Sequence, residues 1–132
     1  MSQESVEIVR AIHEALARGE SPASLALLHP DIEYVNPPGA VEPGTRRGIA
    51  GYEAAMRSIA EVFEGIRIEV RDIKGVGDQV VVLATFIARG AVSGAPREHE
   101  DGYVWTIRDA KAVRFQWFND PAQALEAVGL AE

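Results

Sequence analysis

REHEDGYVWTIRDAKAVRFQWFND, residues 97–120, alternates apolar and polar side chains on both sides of Asp109-Ala110, a period of two that defines two β-strands joined by a tight turn. The following segment PAQALEAVGL reads as a short helix, with Asp120 as its cap, Pro121 at its first position and Gly129 at its end. Counting outward from a two-residue turn sets Arg108 opposite Lys111, Thr106 opposite Val113, Val104 opposite Phe115, Gly102 opposite Trp117 and Glu100 opposite Asn119. These share one face. The other face takes His99, Asp101, Tyr103, Trp105 and Ile107 with Arg114, Gln116 and Phe118. Both faces are partly apolar, so one is expected to line a pocket. The other, carrying Tyr103, Trp105 and Phe118, is expected to join a second copy in a homodimer. A bulge near the turn would shift this register by one and exchange the faces.

Upstream, Val6, Val9, Ile12, His13 and Leu16 recur at helical spacing, predicting an amphipathic helix over about 4–18 that stops at Gly19. Ser21 and Pro22 cap a second short helix, SLALLH, ended by Pro30. DIEYVNPP reads as a short strand broken by Pro37 and Pro38, followed by the turn-rich loop GAVEPGTRRG. Ile49, Tyr52, Met56, Ile59, Ala60 and Phe63 give a third helix closed by Gly65. IRIEVRDIKGV and QVVVLATFIARG are two further strands. Helices first and strands later predict an α+β domain, its N-terminal helices packed on one face of a curved, mostly antiparallel sheet.

The 132 residues suffice for a single domain, 1–132, and are too few for two. Apolar residues at 47% and charged residues at 25% fit a folded globular chain. A net charge of -7 and a pI near 5.0 argue against nucleic acid and anionic membrane surfaces as partners. The absence of cysteine excludes disulfides, thiolate metal sites and Cys nucleophiles. The longest apolar run, VVVLATFIA at 80–88, is about half of the ~20 residues needed to span a bilayer. MSQESVEIVR lacks a signal-peptide core, and a cytoplasmic location is the expectation.

The segments ALARGE, LLHPDIEYVNPPG, RGIAGYEAAM, GDQVVVL and VWTIRDAKAVRFQWFNDPAQALEAVGL, in this order over nearly the whole chain, resemble the SnoaL-like and ketosteroid isomerase-like branch of the nuclear transport factor 2-like superfamily. The resemblance implies a cone-shaped sheet with the helices on its concave face and an open mouth that admits a hydrophobic small molecule. It does not carry over the catalytic sets of the relatives. The isomerase base, an aspartate before proline, matches Asn36, whose amide cannot abstract a proton at neutral pH. The isomerase tyrosine matches Ile12, and its oxyanion-hole aspartic acid falls near Val104. In the epoxide hydrolases the last aspartate of the water-activating set matches Trp117.

For the pocket itself, Glu100 is the expected general acid or base, since desolvation raises a carboxyl pKa. Against it stands the cluster Glu98, Glu100, Asp101, of a kind more often solvated. His13 and Asn36 are the candidate partners in catalysis; a structural histidine and ordinary turn chemistry are the competing readings. Tyr34, Val104, Phe115, Trp117 and Asn119 are the candidate substrate contacts, with core packing or helix capping as the alternatives. No cofactor or metal is expected, because His29 and His99 lack ligand spacing and no glycine loop joins a strand to a helix. The expected activity is proton transfer, as in isomerisation or ring closure, on an apolar carbonyl compound. A non-catalytic binding module and a dimeric interaction domain are the alternatives.

Overall fold

The computed structural model describes residues 2–37, 39–40 and 44–130; the side chains of Ser2, Ser21 and Pro22 are excluded, so the capping expected of Ser21 and the strand break expected of Pro38 lie outside the described residues. The elements in chain order are α1 (Ser2–Ala17), α2 (Ser21–Leu25), β1 (Leu28–Asn36), β2 (Gly44–Arg47), α3 (Gly48–Val62), β3 (Phe63–Val76), β4 (Gln79–Gly90), β5 (Pro96–Arg108), β6 (Lys111–Phe118) and α4 (Pro121–Ala127). The six strands form one sheet in the order β2-β1-β6-β5-β4-β3. All neighbours are antiparallel except β1 and β6, which run parallel. This is the expected α+β architecture. Two bulges in β3, one next to Gly65, bend the edge of the sheet.

The inner face of the sheet and the helices α1 and α3 share one core. Val9 and Ile12 of α1, and Tyr52 and Ala55 of α3, pack with Ile32, Tyr34, Val80, Val82, Tyr103, Trp105 and Phe115. The amphipathic spacing of α1 therefore meets an apolar sheet, and the helix ends as its glycine implies: Gly19 takes φ +72, and the Glu20 amide closes on the Ala15 carbonyl at 2.8 Å. The outer face has its own smaller core, where Ala124 and Val128 of α4 cover Val81 and Val104. Gly102 makes this approach possible, since a Cβ there would stand 2.4 Å from the Ala124 Cβ. Asp120 caps α4, accepting from the Ala122 amide at 2.9 Å.

The turn is as expected and the register is not. Asp109 and Ala110 both lie in the left-handed region, φ 50 and 62, as a type I′ turn requires, and Arg108 faces Lys111. One residue farther out a bulge intervenes: Ile107 pairs with Ala112, but Thr106 pairs with Arg114. From there Trp105 is opposite Phe115, Tyr103 opposite Trp117, Val104 opposite Gln116 and Gly102 opposite Phe118. The shift brings Tyr103, Trp105, Phe115 and Trp117 onto the inner face. The gain is aromatic packing, with ring centroids 4.5 Å apart for Trp105 and Phe115 and 5.5 Å for Tyr103 and Phe115.

Four expectations change. The homodimer surface proposed at Tyr103, Trp105 and Phe118 is absent, because Tyr103 and Trp105 are 6% and 1% exposed beneath the helices while Phe118 packs on the opposite side near α4. Strand β1 starts at Leu28 and contains Pro30, tolerated because its pairing with β6 is interrupted between Leu28 and Glu33. The loop after β1 ends in a strand, β2, paired to β1. Helix α3 runs directly into β3 at Phe63, so Gly65 does not close it but serves the strand bulge, at φ +63.

Candidate functional site

Alternate residues of β5 place Arg97, His99, Asp101, Tyr103 and Trp105 in a row on the inner face. Asp101 is the acidic group among them, 5% exposed. Its Oδ2 accepts from the Tyr103 hydroxyl at 3.2 Å. Its Oδ1 is buried without a hydrogen-bond partner among the described residues, although His99 Nε2 lies 3.1 Å away, off the line a hydrogen bond needs. Burial raises the carboxyl pKa, and the Glu100 charge adds to this. His99, the Tyr103 hydrogen bond and Arg97 oppose the rise. Tyr103 is held neutral, first by burial and then by the adjacent carboxylate.

His13 projects from α1 onto this row. Its ring stacks on Tyr103, 6.0 Å between centroids, and meets Trp105 edge-on at 5.7 Å. The Trp105 indole N–H donates to His13 Nε2 at 3.2 Å, so the proton of the neutral ring sits on Nδ1. Burial lowers the His13 pKa to about 4. The histidine expected as a catalytic base thus has its basic lone pair committed to a buried indole. Beside it Tyr34 packs between Phe115 and Tyr52, centroids at 5.2 and 5.8 Å, and burial raises the Tyr52 pKa to about 12. At the end of β1 the Asn36 Oδ1 accepts from the Trp117 indole at 2.8 Å, and its Nδ2 lies 3.5 Å from the Gly44 carbonyl.

The structure therefore brings together His13, Tyr34, Asn36, Phe115 and Trp117, and separates three other candidates from them. Glu100 is exposed on the outer face, where both its oxygens accept from the Thr85 hydroxyl, at 3.1 and 3.0 Å, so the catalytic role expected of it fails on geometry. Val104 lies under α4, and Asn119 is exposed beyond the end of β6, so neither lines the inner face. For Glu100 and Val104 the cause is the bulge; Asn119 keeps the parity of Trp117 but lies past the end of the strand. The signal for Asp101 lies in the hairpin itself: only a one-residue shift collects four of its five aromatic rings on the side that Asp101 shares.

Two surface depressions are apparent. One, of about 190 Å³, is lined by Leu16 of α1, Leu25 of α2, and Tyr52 and Met56 of α3. The other, of about 530 Å³, is lined by polar residues of the outer face, including Glu33, Arg47, Asp78 and Arg114. Neither is lined by Asp101, His99 or Tyr103. The buried polar groups, rather than concavity, single out the inner-face cluster. No described helix is long and apolar enough to cross a membrane.

An open, curved sheet with three helices on one face and a buried carboxyl on that same face defines a cone-type α+β protein. The model of the SnoaL-like domain matches residues 9–115, and the chain belongs to that family. Among solved structures it is similar to TerC, co-crystallised with polyporic acid, at 27% identity over 95% of this chain and 97% of that one, TM-score 0.79. An NTF2-like protein of unknown function from Burkholderia pseudomallei K96243 is 26% identical over 96% and 98% of the two chains, TM-score 0.80. A hypothetical protein with a ketosteroid isomerase-like fold from Catenulispora acidiphila DSM 44928, in complex with trimethylamine, shares the fold at 19% identity over 94% and 93%, TM-score 0.73. No curated protein matches the chain.

Proposed function

We propose that this protein binds an apolar, carbonyl-bearing small molecule against the inner face of the sheet and transfers a proton on it, as in isomerisation or ring closure, with Asp101 carrying the proton. The observation behind this reading is the Asp101 carboxyl, buried among aromatic rings with Oδ1 lacking a hydrogen-bond partner. A buried acceptor left unpaired costs about 1–3 kcal/mol, a cost that a bound ligand can relieve. A carboxyl pKa raised by burial moves toward the range in which one group both takes and returns a proton near neutral pH. The co-crystal of TerC with an organic acid supports a small organic ligand in this fold.

Chemistry would proceed by approach of Asp101 Oδ1 to the acidic C–H beside the carbonyl, with the proton passing to Oδ1 and the electron pair moving onto the carbonyl oxygen. Return of the proton to another carbon completes an isomerisation. Tyr103 holds Oδ2 and so orients the other oxygen. Incubation with β-tetralone in deuterated water tests the reading. Exchange of its acidic hydrogens, followed by NMR, is expected to exceed the buffer rate and to fall at least about 100-fold in Asp101→Asn. Exchange at the buffer rate would sink the catalytic part and leave a carrier; undiminished exchange in Asp101→Asn would remove Asp101.

A further inference from the structure

We propose that His99, held as its Nε2–H tautomer by Arg97, forms with Asp101 Oδ1 a paired donor and acceptor that selects a ligand hydroxyl of the enol or phenol type. The inference rests on the inner-face reading above and adds the ligand's polar group to it. Arg97 Nε donates to His99 Nδ1 at 3.1 Å. A guanidinium offers only donors, so Nδ1 must be the lone-pair nitrogen and the proton of the neutral ring must sit on Nε2. The geometry around this contact is fixed on both sides. Phe86 stacks on the imidazole, centroids 5.0 Å apart and planes within 18°, and Arg97 lies over the Phe63 ring at 5.7 Å.

The Nε2–H and Asp101 Oδ1 are 3.1 Å apart yet not aligned on each other, and Oδ1 has no hydrogen-bond partner among the described residues. A hydroxyl completes both at once, its oxygen accepting from Nε2–H and its proton going to Oδ1. A bare carbonyl or an ether completes the donor alone. An acidic hydroxyl is favoured further, because the Arg97 charge behind the imidazole stabilises negative charge on that oxygen. The imidazole side chain is 29% exposed and the carboxyl side chain 7%, so the pair reaches from the surface to the interior, as a contact for an incoming ligand must.

Trp105 and Trp117, the chain's two tryptophans, lie on this face and report binding by fluorescence. The full-length protein is titrated with β-naphthol and with β-fluoronaphthalene, which matches it in size and lacks the O–H. The expected result is about 10- to 100-fold tighter binding of the naphthol. In His99→Leu and Arg97→Met this preference is expected to shrink to within about 2-fold. His99→Gln, whose amide can accept from Arg97 and donate in place of Nε2–H, is expected to retain most of it. The readout is a ratio between two ligands, which a general loosening of the fold does not reproduce. Equal affinity for the two ligands, or an unchanged preference in His99→Leu, overturns the pair. Should neither ligand bind, the inner-face reading falls with it; should both bind equally while exchange still depends on Asp101, the pair alone falls.

Discussion

Strand β5 carries two faces that differ in what they bury and in how closely they are approached. On the inner side Tyr103 and Trp105 bring a phenol and an indole under the helices, and Asp101 and the half-buried His99 continue the row with a carboxyl and an imidazole, each needing a partner. On the outer side Gly102 and Val104 offer nothing polar beyond the backbone, and α4 sits close enough to exclude a Cβ. The difference teaches that one face must satisfy buried polar groups, while attachment of the C-terminal helix depends on the absence of a side chain on the other.

The largest effect expected from disturbing this arrangement comes from pH. Folding lowers the His13 pKa from 6.5 to about 4, so the stabilising difference is fully present above pH 6.5 and is lost as pH falls through about 4. It amounts to roughly 3 kcal/mol. Urea melts of wild type between pH 7 and 4 should show this loss. His13→Gln, which keeps an acceptor for Trp105 without a titrating ring, should show a much flatter profile. On the outer face Gly102→Ala should cost about 2 kcal/mol, because α4 must move away from the added methyl. Thermal melts measure it, and an unchanged Tm would mean the helix is not seated on β5.

The smallest effects test the contrast directly. Burial raises the Asp101 pKa, so the protein gains most from this carboxyl below its unfolded range and loses that contribution as pH rises through the raised value. Asp101→Asn should therefore raise Tm at pH 7, by about 3 °C, while abolishing exchange. Glu100→Gln, one position away and exposed, should shift stability by less than about 0.5 kcal/mol and leave naphthol binding unchanged. A similar response from the two variants would erase the distinction between the faces.

The element order, the Asp109-Ala110 turn, the cap at Asp120 and the glycine ending α1 were legible in the sequence because each rests on local chemistry. The family resemblance supplied the curved sheet and the layering. Facing was not legible along β5, since both of its sides are apolar and period two alone cannot say which is covered. The bulge after Ala112 decides the matter through aromatic packing between strands, a tertiary preference. Its consequence is that Glu100 stands in the expected site in place of Asp101, that Val104 falls on the outer face, and that Tyr103 and Trp105 turn inward. His13, Tyr34 and Asn36 escaped that exchange because α1 and β1 lie outside the hairpin, and Phe115 and Trp117 because the bulge itself turns them inward.

The parallel pairing of β1 with β6 has a consequence for the order in which the chain assembles. Asn36 finds its partner Trp117 across 81 positions, and His13 finds Trp105 across 92. During synthesis the first strand and helix leave the ribosome long before the hairpin that completes them, and the ring cluster closes only when β6 arrives. Truncation within the last strand would therefore leave the early elements without their common surface, a nascent state in need of protection from aggregation.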